Sequence, residues 1–257
     1  MIRDWSNFIA DRTAVITGSG GGVGRAIAIQ MARAGAHVWV NDLYADRAEA
    51  VAAEITREGC RASVVVADVC DPAEVARLVA ETGPVDILVN NAGIPPEGFT
   101  VKSFVESGPE DWDPILRLNL AAVVHVTRAY LPMMIERRWG RILTIVSDAG
   151  RKGERKQVMY GAAKAAAMGF SRGLAAEVGR DGVTVNCIAL GTMKHGQLAA
   201  AIEANPELEA KMARSYPAGR VGQVDDSAPL AVLLCSDAGE WITGQVYPVD
   251  GGYASAL

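Results

Sequence analysis

Short apolar runs rich in β-branched residues alternate along this chain with Ala-rich stretches of helical spacing. Residues 13–17, 37–41, 62–67, 85–90, 141–146, 183–188 and 245–249 have strand length and few polar interruptions, so the pattern predicts seven strands. Segments such as 24–34, 45–58 and 160–179 carry good helix formers at helical spacing and predict helices between them. Strands apolar on both faces need cover on both faces, and intervening helices supply it. The expectation is an α/β chain with a seven-stranded parallel sheet wound on both sides and flanked by helices. No repeat or linker interrupts residues 1–257, which predicts a single domain. Its least regular part, residues 190–223, reads as a loop and short-helix insert on the substrate side.

Composition narrows the function classes. With 50% hydrophobic and 21% charged residues the chain is globular rather than disordered, and a net charge of -5 argues against a nucleic-acid partner. Residues 1–12 carry Asp4, Asn7 and Asp11 and offer no apolar signal-peptide core. No window reads as an unbroken membrane span, so no membrane partner is expected. Cys60, Cys70, Cys187 and Cys235 lack metal spacing or a CxxC pair and read as thiols of a reducing, cytoplasmic compartment. His37, His125 and His195 are scattered, and no metal site is expected.

Ligands of such sheets bind at the carboxyl ends of the strands, so residues that follow strands carry functional weight. The first strand runs into Thr17-Gly18-Ser19-Gly20-Gly21-Gly22-Val23-Gly24, directly before a helix. Glycines let backbone N–H groups approach a phosphate, and the helix N-terminus favours the anion; the bland reading is a tight turn. Asp42 follows the second strand, where a carboxylate either bonds adenosine ribose hydroxyls or caps the helix starting near Ala45. A 2'-phosphate there would meet like charge, and Ser19 stands where a cation would hold it, so the residues favour NAD over NADP.

The chemistry is carried by Tyr160 and Lys164, one helical turn apart, with Ser147 upstream at a strand end. Residues i and i+4 share a helix face, and an adjacent ammonium favours phenolate, so the Tyr160 pKa is expected to fall toward neutrality. Ser147 would hold a substrate oxygen against that phenol.

Taken in order, Thr17-Gly18-x3-Gly22-x-Gly24, Asp68-Val69, Asn90-Asn91-Ala92-Gly93, Asn119, Ser147, Tyr160-x3-Lys164 and Asp250-Gly251-Gly252 resemble the short-chain dehydrogenase/reductase family, over about Asp11 to Tyr253. The resemblance implies a Rossmann fold and an NAD-dependent enzyme acting on CH–OH groups. Its catalytic residues would be Asn119, Ser147, Tyr160 and Lys164. The implied cofactor-binding residues are Gly18, Ser19, Gly22, Val23, Gly24, Asp42, Asp68, Val69, Asn91, Ala92, Gly93, Tyr160, Lys164, Gly191, Thr192 and Met193. It also implies a water held by Asn119 that links Lys164 to solvent, and a homotetramer built through the long helices of Asn119 and Tyr160. The chain departs from the family at Leu190-Gly191-Thr192-Met193-Lys194-His195. Leu190 replaces the usual Pro, and His195 stands at the position of a Thr that helps hold the carboxamide.

For the substrate, Arg151, Lys152, Arg155 and Lys156 either form a solvated turn or steer an anionic molecule. Ser147-Asp148-Ala149 resembles a segment of family members that oxidise hydroxyacyl-CoA thioesters, placing the chain in a FabG-like, hydroxyacyl-CoA dehydrogenase-like branch. The partner expected is therefore a small-molecule alcohol or ketone, a hydroxyacyl thioester or another anionic alcohol. A steroid, polyol or simple secondary alcohol, or a non-catalytic NAD-binding regulator, are the alternatives. Met193, Leu198, Met212 and Tyr216 form either an apolar lid or ordinary packing.

Overall fold

The structure, a computed structural model, describes residues 7–95, 98 and 102–254. Asp4 and the rest of 1–6 lie outside them. The chain runs β1 (Thr13–Ile16), α1 (Gly22–Arg33), β2 (His37–Asp42), α2 (Ala45–Arg57), β3 (Arg61–Val66), α3 (Pro72–Thr82) and β4 (Ile87–Asn90). It continues through α4 (Pro109–Leu116), α5 (Ala122–Glu136), β5 (Gly140–Ser147), α6 (Val158–Val178), β6 (Val183–Leu190) and β7 (Met193–Lys194). The last elements are α7 (Gly196–Ala204), α8 (Pro206–Ala213), β8 (Gly222–Gln223), α9 (Ala228–Leu234) and β9 (Val246–Val249).

Seven strands form one parallel sheet in the order β3-β2-β1-β4-β5-β6-β9. Strand order reverses between β1 and β4, which opens a crevice at their carboxyl ends. Alternate residues of a strand face opposite sides, and β1 shows the consequence. Ala14 and Ile16 pack with Ile27 and Met31 of α1, Val51 and Ile55 of α2, and Leu234 of α9. Val15 faces the other way, onto the cluster of Leu78, Leu88, Tyr130 and Met134. Each large apolar side chain fully buried in these layers stabilises the fold by about 1.5–3 kcal/mol.

The strands agree with the sequence pattern to within a residue or two at their ends, β5 and β6 running on to Ser147 and Leu190. The insert forms α7 and α8, and it is pinned by a two-residue parallel ladder that pairs Met193 with Gly222 and Lys194 with Gln223. Two-residue strands are too short to leave an alternation signal.

One expectation needs correction. Pro109–Glu136 forms a 28-residue helical stretch long and apolar enough, by length and composition, to cross a membrane. Its apolar positions have a partner inside the domain, because Val126, Tyr130 and Met134 are buried against the sheet. A π-helical turn at Arg117–Ala121 interrupts the stretch.

Candidate active site

The glycine turn leaves β1 and is fastened from β4. Asn91 donates its side-chain amide to the carbonyls of Thr17 and Gly18, both at 2.9 Å, while the Thr17 hydroxyl accepts the N–H groups of Asn91 and Ala92. A Cβ added at Gly24 would stand 2.6 Å from the Gly18 carbonyl, so only glycine lets α1 start this close beneath the turn. Ser19 points inward: it is fully buried and donates its hydroxyl to the Ile16 carbonyl at 2.8 Å. Its side chain stiffens the turn rather than facing a ligand. That orientation follows from the long-range partner Asn41, whose carbonyl accepts the Ser19 N–H, and a linear motif does not reveal it.

Asp42 at the end of β2 accepts the N–H of Gly20 at 3.0 Å and of Tyr44 at 3.1 Å. The two readings of Asp42 merge here, since it braces the entry to α2 and also lines the cleft. Asp68 similarly accepts the Cys70 N–H at 2.8 Å while lining the cleft beside Val69. Gly18, Gly22, Val23, Gly24, Asn91, Ala92, Gly93, Gly191, Thr192 and Met193 line the same cleft. It measures about 1340 Å³ and runs on to Ser147, Tyr160 and Lys164.

At that end the geometry is close. Ser147 terminates β5 and accepts the Ala149 N–H at 3.2 Å, which turns the chain before α6. Its hydroxyl is hydrogen-bonded with that of Tyr160. Lys164, buried, donates to the Ile145 carbonyl at 2.9 Å. Across from it, the π turn places Asn119 so that its amide donates to the Ile115 carbonyl at 3.0 Å, and its Oδ1 has no partner among the described residues. Gly93 lies between: a Cβ there would stand 2.8 Å from Lys164 Nζ and 2.9 Å from Asn119 Oδ1. Buried acceptors are rarely left alone, so the orphaned oxygen beside the ammonium fits a bridging water and a proton path.

The electrostatics correct one expectation. Burial pushes the Tyr160 phenol up, to about 12, and the Ser147 hydrogen bond offsets only part of this. Burial also pulls the Lys164 ammonium down to about 8. Lys164 sits 5.7 Å from the centre of the Tyr160 ring, and burial, not that charge, sets the direction of the phenol's shift. The phenol is therefore protonated at neutrality in the protein alone.

The basic loop is largely spent on its surroundings. Arg151 pairs with Asp148 at 2.7 Å and Asp250 at 3.6 Å, and Lys152 with Glu154 at 3.4 Å and the Tyr253 ring at 3.2 Å. Arg155 and Lys156 stay exposed. Asp148, buried next to Ser147, has its carboxyl pushed up to about 6, chiefly by burial. Burial opposes ionisation of Asp250 too, but N–H donors from Ala254 and Gly252 outweigh it and hold that carboxyl low. This cluster joins residues a hundred positions apart, and the motifs give no sign of it. Of the apolar residues in the insert, Met193 and Leu198 line the cleft, whereas Tyr216 is buried, accepts the Thr192 N–H at 3.2 Å and packs against Tyr253 with the rings tilted by 34°. Among the described residues no cluster of His, Cys, Asp or Glu is placed to hold a metal ion.

A nicotinamide dinucleotide fits this cleft on three grounds: the glycine turn at a helix N-terminus, the cleft-lining carboxylate of Asp42 at the end of β2, and the Asn119 Oδ1 that has no partner among the described residues.

Comparison with known proteins leads to the same place. The family described as enoyl-(acyl carrier protein) reductase matches residues 18–254. A curated relative from Thauera aromatica, (2S)-[(R)-hydroxy(phenyl)methyl]succinyl-CoA dehydrogenase subunit BbsD, is 37% identical over 95% of this chain and 97% of its own. A gluconate 5-dehydrogenase from Burkholderia cenocepacia, solved with NADP and tartrate, is 34% identical with TM-score 0.88, covering 98% of this chain and 99% of that one. A 7α-hydroxysteroid dehydrogenase solved with NADH and 7-oxo glycochenodeoxycholic acid is 36% identical with TM-score 0.88, covering 99% and 98%. Two-layered cover, switch-point cleft and ordered motifs thus coincide with full-length likeness, and the chain belongs to the short-chain dehydrogenase/reductase family as an NAD(P)-dependent oxidoreductase of secondary alcohols and ketones.

Proposed function

We propose that the protein transfers hydride between NAD and a secondary alcohol bearing an anionic group, with Tyr160 as its general acid and base. The single observation that carries this reading is the Ser147–Tyr160 hydrogen bond at the carboxyl end of β5, with Lys164 and Asn119 behind it in the cleft that begins at the glycine turn.

A bound nicotinamide dinucleotide supplies the hydride acceptor or donor. The chain's own residues do the rest. Ser147 fixes the substrate oxygen, and Tyr160 takes its proton in oxidation or returns one in reduction. Lys164 holds positive charge near the phenol and, with Asn119 and water, relays the proton from the buried site. The glycine turn holds the diphosphate, and Asp68, Val69, Asn91, Ala92 and Gly93 shape the adenosine and ribose sides.

Asp42 supports NAD as the preferred cofactor, because its carboxylate lines the cleft and a 2'-phosphate would meet that charge. Arg155 and Lys156, exposed beside cleft-lining Glu154 and Gln157, support an anionic substrate. So does the acidic chemistry in the names of three relatives: a substituted succinyl-CoA, gluconate with bound tartrate, and 7-oxo glycochenodeoxycholic acid. A thioester is the form this reading favours. The homotetramer belongs to the same reading.

Absorbance at 340 nm tests the proposal with hydroxyacyl-CoA esters, sugar acids, steroids and neutral polyols against both cofactors. The expected result is reduced cofactor formed with NAD, a higher kcat/KM for NAD than NADP, and a KM for the anionic substrate that rises with salt. Asp42→Ala should narrow the NAD preference by about tenfold or more, since removing the carboxylate removes the repulsion. NAD binding without turnover on any secondary alcohol or ketone would instead leave a regulator.

A further inference from the structure

The loop that follows β6 brings a second side chain to the glycine turn. His195 lies in extended backbone (φ -154°, ψ 166°) at the start of α7 and lines the cleft together with Gly21, Gly22 and Val23. A Cβ built on Gly22 would stand 3.4 Å from His195 Nδ1 and 3.7 Å from its Cε1 and Cγ, so the imidazole lies directly over the first residue of α1. The placement is held from behind. Met193 and Lys194 pair with β8, and the Thr192 N–H is bonded to the Tyr216 hydroxyl at 3.2 Å.

Other polar side chains around this turn are committed elsewhere. Lys194 reaches Glu209 on α8 at 3.0 Å, and Arg25 donates to Glu54 at 2.9 Å. Ser19 turns inward to the Ile16 carbonyl, and Thr17 serves the backbone of Asn91 and Ala92. Arg47 stacks on the Tyr44 ring at 4.5 Å, toward the Asp42 end. An anion seated at the start of α1 would meet the backbone N–H groups of the turn, and His195 stands beside that position.

We propose that His195 is a cofactor-positioning residue of this chain: its imidazole N–H closes the phosphate cradle over Gly22 and donates to the diphosphate of the dinucleotide, coupling cofactor binding to the position of α7. The inference rests on the reading that the cleft binds NAD. It differs from the carboxamide role implied for this position, because the contact made is with the glycine turn. A histidine reaches further than a threonine and can present a charged donor to phosphate.

The test is the dissociation constant of the full-length protein, measured by calorimetry for NAD and ADP-ribose and by competition for adenosine, which lacks phosphate. His195→Ala should bind NAD and ADP-ribose about tenfold more weakly and adenosine unchanged, the loss expected for one hydrogen bond to a charged group. His195→Asn, whose amide places an N–H near the Nδ1 position, should recover most of that loss. Equal NAD affinity in His195→Ala and wild type overturns the proposal, as does an adenosine affinity that falls in parallel. Wild-type protein that binds neither NAD nor ADP-ribose would overturn the functional reading beneath it, and the two failures are thereby distinguished.

Discussion

Tyr160→Phe is expected to bind NAD within about threefold of wild type while kcat falls by about 10²- to 10⁴-fold, the range for a positioned acid–base group. The ring stays, so the wall of the cleft stays, and only the hydroxyl bonded with Ser147 is lost. Loss of affinity equal to the loss of turnover would mean that the phenol binds rather than reacts. The wild-type pH profile follows from the same residue. With the phenol pushed up to about 12 by burial, the protonated acid that ketone reduction needs predominates at neutrality. Phenolate, which alcohol oxidation needs, grows as pH rises. Oxidation should therefore gain rate with pH and reduction should lose it, and initial rates in the two directions check the sign.

Lys164→Met should lower kcat by about 10²-fold or more and weaken NAD by about tenfold if, as proposed, one ammonium serves both the phenol and the cofactor. The methionine keeps most of the stem, so thermal stability should change little. Burial already works against the charge, pulling the ammonium down to about 8, and an apolar replacement gives up the bond to the Ile145 carbonyl but removes that desolvation cost. Lys164→Arg should fail to rescue. Gly93 crowds the site so closely that even a Cβ would fall 2.8 Å from Nζ, leaving a guanidinium no place. Circular dichroism melts and NAD titrations separate this outcome from misfolding. Wild-type turnover in Lys164→Met would remove the ammonium from the mechanism.

What the sequence made legible was whatever depends on local spacing. Apolar runs placed all seven strands of the sheet, because a strand covered on both faces must read as a continuous apolar segment. The i, i+4 spacing put Tyr160 and Lys164 on one helix face, and the strand ends brought Ser147 and Gly93 to them. Illegible were the features that long-range packing decides. Asn119 reads as a helix-interior residue, yet a π turn and the approach of Gly93 give it a buried oxygen with no partner among the described residues. Ser19 reads as part of the phosphate turn and proves to face the core. Arg151 reads as one of four loop cations and is held by Asp148 and Asp250. The Tyr160 shift runs opposite to the direction the spacing implies for the same reason: charge proximity can be read from spacing, whereas desolvation depends on everything packed around the group.

On the proposed mechanism Tyr160 becomes a usable base only when positive charge is brought beside it. Ultraviolet difference titration of phenolate, wild type minus Tyr160→Phe, tests this directly, with and without oxidised NAD. The expected Tyr160 signal appears near pH 12 in the protein alone and moves to markedly lower pH with oxidised NAD bound. A signal that stays at the same pH when NAD is bound would contradict it.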